Sequence, residues 1–336
     1  MATALAPLAI NDALVPGRPR RVVVAGGSGL IGRALVASLI DDGVAVDVLS
    51  RNPDARVGRV PAGEKAIRWD PGDPSSVPAL ARVLAGADAV VNTSGAPVGP
   101  WPWTPWRRRA IVQSRVGTNN LLVAAIATLD PAERPGVFVA AAGTDAYTGL
   151  DAEPATEATD TSGTQGFLEQ LSRDWEAAAE RAVPLGVRVV MVRTSFVLAR
   201  KGGLLPLLAL PVRLGLGGRY GSGAQWFSWI HLADLVAVYR RAIDDPAMVG
   251  PVNAASPEPR RQRDVAAILG RVLHRPTWFP VPAWLLRLVL RGEATLLLGS
   301  RRVIPARLLA AGFDFTYRDL EDALRDALDR PPSATS

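Results

Sequence analysis

With 336 residues, 48% of them hydrophobic and 21% charged, the chain is long enough to bury one large α/β core with an added lobe, and no apolar run reaches the roughly 20 residues of a membrane helix. Its formal charge is +6, but the basic residues are spread along the chain and only Lys65 and Lys201 are lysines, which speaks against a nucleic-acid footprint. The lack of cysteine excludes disulfides, thiolate metal sites and cysteine nucleophiles, and the two histidines, His231 and His274, lie too far apart for a helical zinc motif, so no metal is expected.

Residues 1–19 lack the basic start of a secretory peptide and read as a disordered extension of a cytoplasmic protein; 331–336 read as a disordered tail. Arg21 to Ala25 is a Val-rich run ending in glycines, the pattern of a strand buried on both faces. Leu30, Ile31, Ala34, Leu35, Ser38 and Leu39 then recur at helical spacing until Gly43 stops them. Val44 to Leu49 predicts a second strand, Pro78 to Leu84 a helix, Asp88 to Val91 a later strand, and the stretch from Arg107 to Leu129 one helix closed by Pro131 and Pro135. Val137 to Ala141 and Val187 to Val192 predict buried strands on either side of the amphipathic Phe167 to Val183. Such alternation implies right-handed crossovers and a mostly parallel sheet covered on both faces: an α/β, Rossmann-type doubly wound domain over 20–194. From Ser195 the pattern loosens into Gly- and Pro-rich loops with helices near 233–243, 264–273, 282–291 and 318–328, predicting a smaller C-terminal substrate lobe over 195–330, interleaved with the sheet. Within it, Ala283 to Leu298 comes closest to a membrane stretch but is interrupted by Arg287, Arg291 and Glu293.

Between the first strand and the first helix runs Ala25-Gly26-Gly27-Ser28-Gly29-Leu30-Ile31-Gly32, with the spacing G-x-x-G-x-x-G. Positions without side chains let backbone N–H groups approach a diphosphate, and the helix starting near Leu30 turns its positive end to that anion. Gly26, Ser28, Gly29, Leu30, Ile31 and Gly32 are therefore candidate cofactor contacts. The second strand ends Val48-Leu49-Ser50-Arg51, with no Asp or Glu after Leu49 in that turn. An acidic residue there favours a free ribose hydroxyl and an arginine a 2′-phosphate, so Ser50 and Arg51 point to NADP(H) rather than NAD(H).

The segments GGSGLIGRAL (26–35), NTSGAPV (92–98), SRVGTNNLL (114–122), FLEQLSRDWEAAA (167–179), RVVMVRTSFVLARKGGLL (188–205), GLGGRYGSGAQWFSWIHLADL (215–235) and VIPARLLAAGFDFTYRDLEDAL (303–324) carry a resemblance over nearly the whole chain. With them the chain resembles the extended short-chain dehydrogenase/reductase superfamily. More narrowly, it is similar to the NADP-binding, epimerase-like family of SulA-like cell-division inhibitor homologues, with a C-terminal domain of unknown function at about 280–328. The resemblance implies that Asn92, Ser94 and Gly95 lie beside the cofactor, and that Ser114, Arg115 and Thr118 begin the helix lining its pyrophosphate and nicotinamide. It also places Trp69-Asp70-Pro71 near the adenine. Arg193 is a further candidate at the cofactor and substrate side.

Most active members of that superfamily use a Ser/Thr, a Tyr and a Lys four residues after the Tyr. The phenol gives or takes a proton while hydride moves to or from the nicotinamide, and the Lys charge lowers the phenol pKa. Of Tyr147, Tyr220, Tyr239 and Tyr317, none has Lys four residues on, and the register set by Glu176 puts Leu168 and Ser172 in those places. After the fifth strand Thr144 stands at the Ser/Thr position with Asp145 and Tyr147 beside it, at a strand end where open α/β sheets bind ligands. Thr144, Asp145 and Tyr147 are thus the candidate catalytic residues, Thr144 on a substrate carbonyl and Tyr147 or Asp145 on the proton. Packing of Tyr147 under the lobe, with Asp145 capping a turn, is the structural alternative.

Gln225 and Trp226 are candidate substrate contacts, joined by Leu204 to Arg213, and Trp103, in an aromatic loop with Trp101 and Trp106, is a candidate lid. His231 reads as structural, with Asp234 capping a helix. Two functions remain open: an NADP(H)-dependent oxidoreductase or epimerase acting on a small carbonyl or sugar-like compound without the Tyr–Lys dyad, and a non-catalytic NADP(H)-binding regulator. The expected partner is a small-molecule substrate, not nucleic acid or membrane, and a homodimer stays open as the assembly.

Overall fold

Short apolar strands carry the architecture of the computed structural model, which describes residues 21–53, 63–99, 103–149, 153–163 and 165–329. The extension at 1–19, the tail at 331–336 and Trp101 lie outside the described residues. In chain order the strands are β1 (Arg21–Ala25), β2 (Ala45–Ser50), β3 (Glu64–Arg68), β4 (Ala89–Asn92), β5 (Val137–Gly143), β6 (Arg188–Thr194), β7 (Phe196–Leu198), β8 (Trp226–Phe227), β9 (Trp229–His231), β10 (Gly250–Ala254) and β11 (Arg260–Arg261). Seven of them form one parallel sheet in the order β10-β6-β5-β4-β1-β2-β3, while β7 pairs with β9 and β8 with β11. The strand order reverses direction between β1 and β4, the crevice position where doubly wound sheets bind ligands.

Alternation along each strand explains why the sheet needs cover on both sides. Val22, Val24, Val46, Val48, Val91 and Val139 face one layer, and Val23, Ala25, Leu49, Val90, Phe138 and Ala140 the other. The first layer is filled by α1 (Leu30–Asp41) and later by α7 (Leu232–Asp244). The second is filled by α2 (Val77–Leu84), α4 (Thr118–Ala127) and α5 (Phe167–Glu180). The helix expected from Arg107 to Leu129 is two helices, α3 (Pro105–Val112) and α4, joined by a π-helical turn at Gln113–Gly117. There a Cβ on Gly117 would lie 2.4 Å from the Gln113 amide nitrogen, and the widened turn is the kind of local rewinding that occurs at functional sites.

The lobe holds α6 (Leu205–Arg213), α8 (Gln262–Leu273), α9 (Ala283–Leu290), α10 (Ala294–Leu298), α11 (Ala306–Ala310) and α12 (Leu320–Asp329). Several elements there depart from the sequence expectation of loops, among them the short strands β7, β8, β9 and β11, and two of them are longer. The Leu204–Arg213 stretch folds as α6 despite Pro206 and Pro211, because Leu205, Leu208, Ala209 and Val212 share one buried face. Gly250 to Ala254 returns to the large sheet beside β6, where an edge position tolerates Pro251.

His231, not Asp234, caps α7: its Nδ1 accepts from the Ala233 amide at 3.2 Å, and its Nε2 lies 3.2 Å from Asp326. Asp234, 1% exposed, instead accepts from the amides of Thr316 and Tyr317 at 2.8 and 3.0 Å and so ties the C-terminal segment to the sheet layer. Asp234→Ala would remove the acceptor of both amides and is expected to lower stability by about 2 kcal/mol in urea denaturation, with Asp234→Asn losing less. An unchanged midpoint for both variants would show that this tie carries no stability.

Candidate active site

The turn after β1 is built by close backbone approach. Gly26 has φ +83, and a Cβ on it would lie 2.6 Å from the Ser94 amide nitrogen; a Cβ on Gly32 would lie 2.2 Å from the Gly26 carbonyl oxygen. The Gly29 amide closes the turn on that same carbonyl at 2.9 Å. Gly29 then serves as the N-cap of α1 in extended conformation, with no side chain capping the first turn and no acidic residue in it. The leading amides and the positive helix pole are left to an anion, and side-chain-free backbone can meet it closely.

A cavity of about 650 Å³ begins at this turn. Along its floor run Gly29 to Ile31, Thr93 to Gly95, Ala141 to Gly143 and Thr194 to Val197, the segments leaving β1, β4, β5 and β6. Its far wall is apolar: Leu204, Leu207 and Leu208 from the start of α6, and Leu290, Leu296 and Leu297 from α9 and α10. Gly29, Leu30, Ile31, Ser94, Gly95 and Arg115 all face it, while Gly26 and Gly32 lie beneath the turn and Ser28 is exposed on it. Ser50 and the exposed Arg51 stand at the end of β2, outside this cavity.

Arg115 sits in the π-helical turn, which brings its guanidinium over the Trp175 ring at 5.1 Å and within 3.0 Å of the Ala96 carbonyl. Burial pushes its pKa down to about 10, assisted by the Arg107 charge and opposed by Asp145, so it stays cationic at neutral pH. Asn92 lies one layer back. Its amide donates to Asn119 at 2.7 Å and its carbonyl oxygen accepts from the Ser94 backbone at 2.9 Å, and Asn119 in turn donates to the Trp175 carbonyl at 3.0 Å. Asn92 thus shapes the Ser94 turn rather than lining the cavity.

Leu168 and Ser172, the two positions aligned with the missing dyad, both line the cavity. Asp145 faces it as well, held by the guanidinium of Arg301, whose side chain is 6% exposed against 25% for Asp145. The other two catalytic candidates do not reach it. Tyr147 is fully buried among Ala155, Ala255 and Val303; its hydroxyl donates to Asn253 at 3.1 Å and accepts from Arg193, and burial pushes the phenol pKa up. Thr144 is buried too, with its hydroxyl 3.4 Å from the Thr194 carbonyl.

Arg193 is corrected likewise. It grips both Glu176 carboxylate oxygens at 2.6 and 2.7 Å and turns its remaining donor to Tyr147, away from the cavity. Among the substrate candidates, Trp103 donates to the Val98 carbonyl at 2.9 Å and packs on Phe167 at 5.2 Å. Gln225 spans the carbonyls of Tyr220 and Leu297 at 3.1 and 3.2 Å. The Trp226 ring lies between Arg261 and Arg302 at 3.8 and 4.7 Å, and Arg213 is exposed at the end of α6. None of these four lines the cavity, because each is spent on holding the lobe or faces solvent.

Three residues outside the sequence candidates do contribute: Arg301, which holds Asp145; Ser195, whose buried hydroxyl on the cavity floor has no hydrogen-bond partner among the described residues; and Tyr220, on the wall. Burial raises the Tyr220 pKa, keeping it a neutral hydroxyl donor. Tyr220 lies in the GGRYGSG stretch, a visible signal, whereas Arg301 is 156 residues from Asp145 and no local pattern links them.

Residues 22–255 match the NAD dependent epimerase/dehydratase family, and residues 281–327 match a domain of unknown function, DUF1731. The chain is 34% identical over 311 residues to the chloroplastic epimerase family protein SDR39U1 homolog of Arabidopsis thaliana, covering 90% of this chain and 85% of the relative. It is 33% identical to mouse epimerase family protein SDR39U1, covering 92% and 99%. Among solved structures, human SDR39U1 isoform 2 with NADPH superposes with a TM-score of 0.79 at 31% identity, covering 93% of this chain and 100% of that one. A Corynebacterium glutamicum nucleoside-diphosphate sugar epimerase gives a TM-score of 0.72 at 32% identity, covering 93% and 59%. UDP-glucose 4-epimerase of Thermus thermophilus, at 18% identity and a TM-score of 0.72, shares the fold.

The clamp position of Arg193 has a direct consequence. Arg193→Met would leave the Glu176 carboxylate, 12% exposed, without its partner. A loss of about 3 to 5 kcal/mol is expected in guanidinium denaturation. Unaltered stability would put Arg193 back among the ligand contacts.

Proposed function

The chain belongs to the NAD dependent epimerase/dehydratase family, and from that premise we propose that it binds NADP(H) and reduces or oxidises a small carbonyl compound without the Tyr–Lys dyad. The observation that carries this is a single cavity running from the side-chain-free turn at Gly29 to Asp145 and closed by leucines. The glycine cradle fits a diphosphate, since the approach of Gly26 and Gly32 leaves no room for a Cβ while the first turn of α1 stays uncapped. The NADPH in the human SDR39U1 structure supports the choice of cofactor.

In this proposal Gly26, Ser28, Gly29, Leu30, Ile31 and Gly32 form the diphosphate turn, and Ser50 and Arg51 take the 2′-phosphate. Ser94, Gly95 and Arg115 border the nicotinamide half. Residues 20–194 supply cofactor binding and 195–330 the substrate side. NADPH, when bound, supplies a hydride. The chain's own part is to hold the carbonyl among the polar groups of the floor and to exclude water with the leucine wall. Asp145, oriented by Arg301, is the retained candidate for moving the proton; Thr144 and Tyr147 support the turn from behind. The leucine wall favours a carbonyl compound with an apolar body over a sugar, each of whose buried hydroxyls would require its own partner. We place the protein in the cytoplasm, although the Arabidopsis relative is chloroplastic.

One observation favours a second proposal, a non-catalytic NADP(H)-dependent regulator, to which the SulA-like resemblance also belongs: Leu168 and Ser172 occupy cavity positions where the proton-transfer pair would stand. Deuterium loss from 4-deuterated NADPH across a panel of apolar aldehydes and ketones separates the two. Transfer is expected, and its absence over the whole panel would select the regulator.

Arg51→Ala is expected to weaken NADPH binding about tenfold while changing NADH affinity little, as measured by calorimetry. Equal losses for both dinucleotides would reassign the arginine. Asp145→Asn should lower turnover about a hundredfold with NADPH affinity retained. Full activity of that variant would remove Asp145 from proton transfer.

A further inference from the structure

Outside the cavity the largest anomaly of the surface is apolar. Leu207 and Leu210 on α6 and Leu214 at its C-terminal cap follow helical spacing and are each at least half exposed. Trp278 is 81% exposed, and on α9 Trp284 and Leu288, one turn apart, are 65% and 68% exposed. No residue of α9 is buried. The two stripes are brought near each other, because the segment entering α9 is laced to the segment leaving α6. The Phe279 amide donates to Gly217 at 3.1 Å, the Val281 amide to Arg219 at 2.9 Å, and the Gly221 amide to Val281 at 2.9 Å. Leu207 and Leu290 also line the cavity, so its mouth opens beside this face.

Charge identifies what the face meets. Segments 205–223 and 274–292 contain Arg213, Arg219, Arg275, Arg287 and Arg291, all exposed, and not one Asp or Glu. The rest of the chain carries the remaining 33 of its 38 basic residues against all 32 acidic ones, so this segregation is local. A second copy laid on the same patch would bring five arginines against five, a like-charge contact that specific interfaces avoid. Arginine stems beside exposed indole and leucine match instead an anionic lipid interface, where aromatic rings sit at headgroup level and guanidinium groups reach the phosphates.

We propose that the protein docks peripherally on an anionic lipid surface through α6 and α9, with the cavity mouth facing the bilayer. The docking is superficial: among the described residues no helix is long and apolar enough to cross a membrane. The sequence alone gives no membrane partner because Ala283 to Leu298 is interrupted by Arg287, Arg291 and Glu293 and cannot span; the exposure of α9 on the lobe is what the linear pattern does not reveal.

Co-sedimentation of the full chain with vesicles tests this. Binding is expected to vesicles in which phosphatidylglycerol replaces part of the phosphatidylcholine, and little to pure phosphatidylcholine, with a loss of affinity as salt rises. Trp284→Glu/Leu288→Glu should lower the partition coefficient at least about tenfold, and Arg287→Glu/Arg291→Glu about fivefold or more per arginine. Both pairs lie outside the cavity lining, and an unchanged thermal midpoint would establish that they remain folded. Failure to sediment with phosphatidylglycerol vesicles at low salt, or sedimentation undiminished by either pair, would overturn the proposal. So would a dimer seen by light scattering that Trp284→Glu/Leu288→Glu dissolves while vesicle binding is absent.

Discussion

The contact on which the site depends is the approach of Gly32 to the Gly26 carbonyl, where a Cβ would stand 2.2 Å from the oxygen. It seats the first turn of α1 directly on the end of β1, and the neighbouring fit of Gly26 against the Ser94 amide brings the end of β4 to the same place. One residue, Gly26, therefore fixes the distance between helix pole, first strand and fourth strand, its carbonyl against Gly32 and its bare Cα against Ser94. Any larger residue at either glycine would push α1 off the sheet and misdirect the leading amides.

Everything downstream inherits that geometry. A sheet buried on both faces has no room for a ligand except beyond the strand ends, so the chemistry collects on the turns after β1, β4, β5 and β6. Behind those turns lie two polar supports. The Asn92–Asn119–Trp175 chain holds the Ser94 turn, and the Glu176–Arg193–Tyr147–Asn253 chain holds the segment after β5. The side chains of Asn92, Asn119, Arg193 and Tyr147 are all paired within these chains, which is the condition for polar groups in a core to stabilise it.

Local patterns made five of the seven sheet strands and the glycine turn legible, because apolar runs and G-x-x-G-x-x-G are read over a few residues, whereas the polar β3 and the Pro-containing β10 gave no such pattern. The positions of the missing dyad were legible too: Leu168 and Ser172 do face the cavity, since helix period carries register from Glu176. What escaped was decided by long-range choice among donors. Tyr147 and Arg193 stand near strand ends, as ligand groups would, but a carboxylate on α5 and an amide on β10 claim them first. Arg301 reaches Asp145 from the lobe across 156 positions, and Trp226 and Gln225 are taken up by neighbours that sequence spacing does not announce. Polar type told which residues are rich in chemistry; only the fold told which of them were already paired.

The lobe shows the same division in its apolar residues. Along α6, Leu205, Leu208 and Val212 turn inward while Leu207, Leu210 and Leu214 turn out, so a helix apolar on two faces spans between the lobe core and the surface. A globular core accounts for only the first face. The second face costs solubility unless something apolar meets it, and Leu207, shared by the cavity wall and the outer stripe, joins the two requirements in one side chain. Leu207 stands where the hydrocarbon of the outer face meets the hydrocarbon of the cavity wall, while the polar groups of the floor lie beyond the ends of β5 and β6.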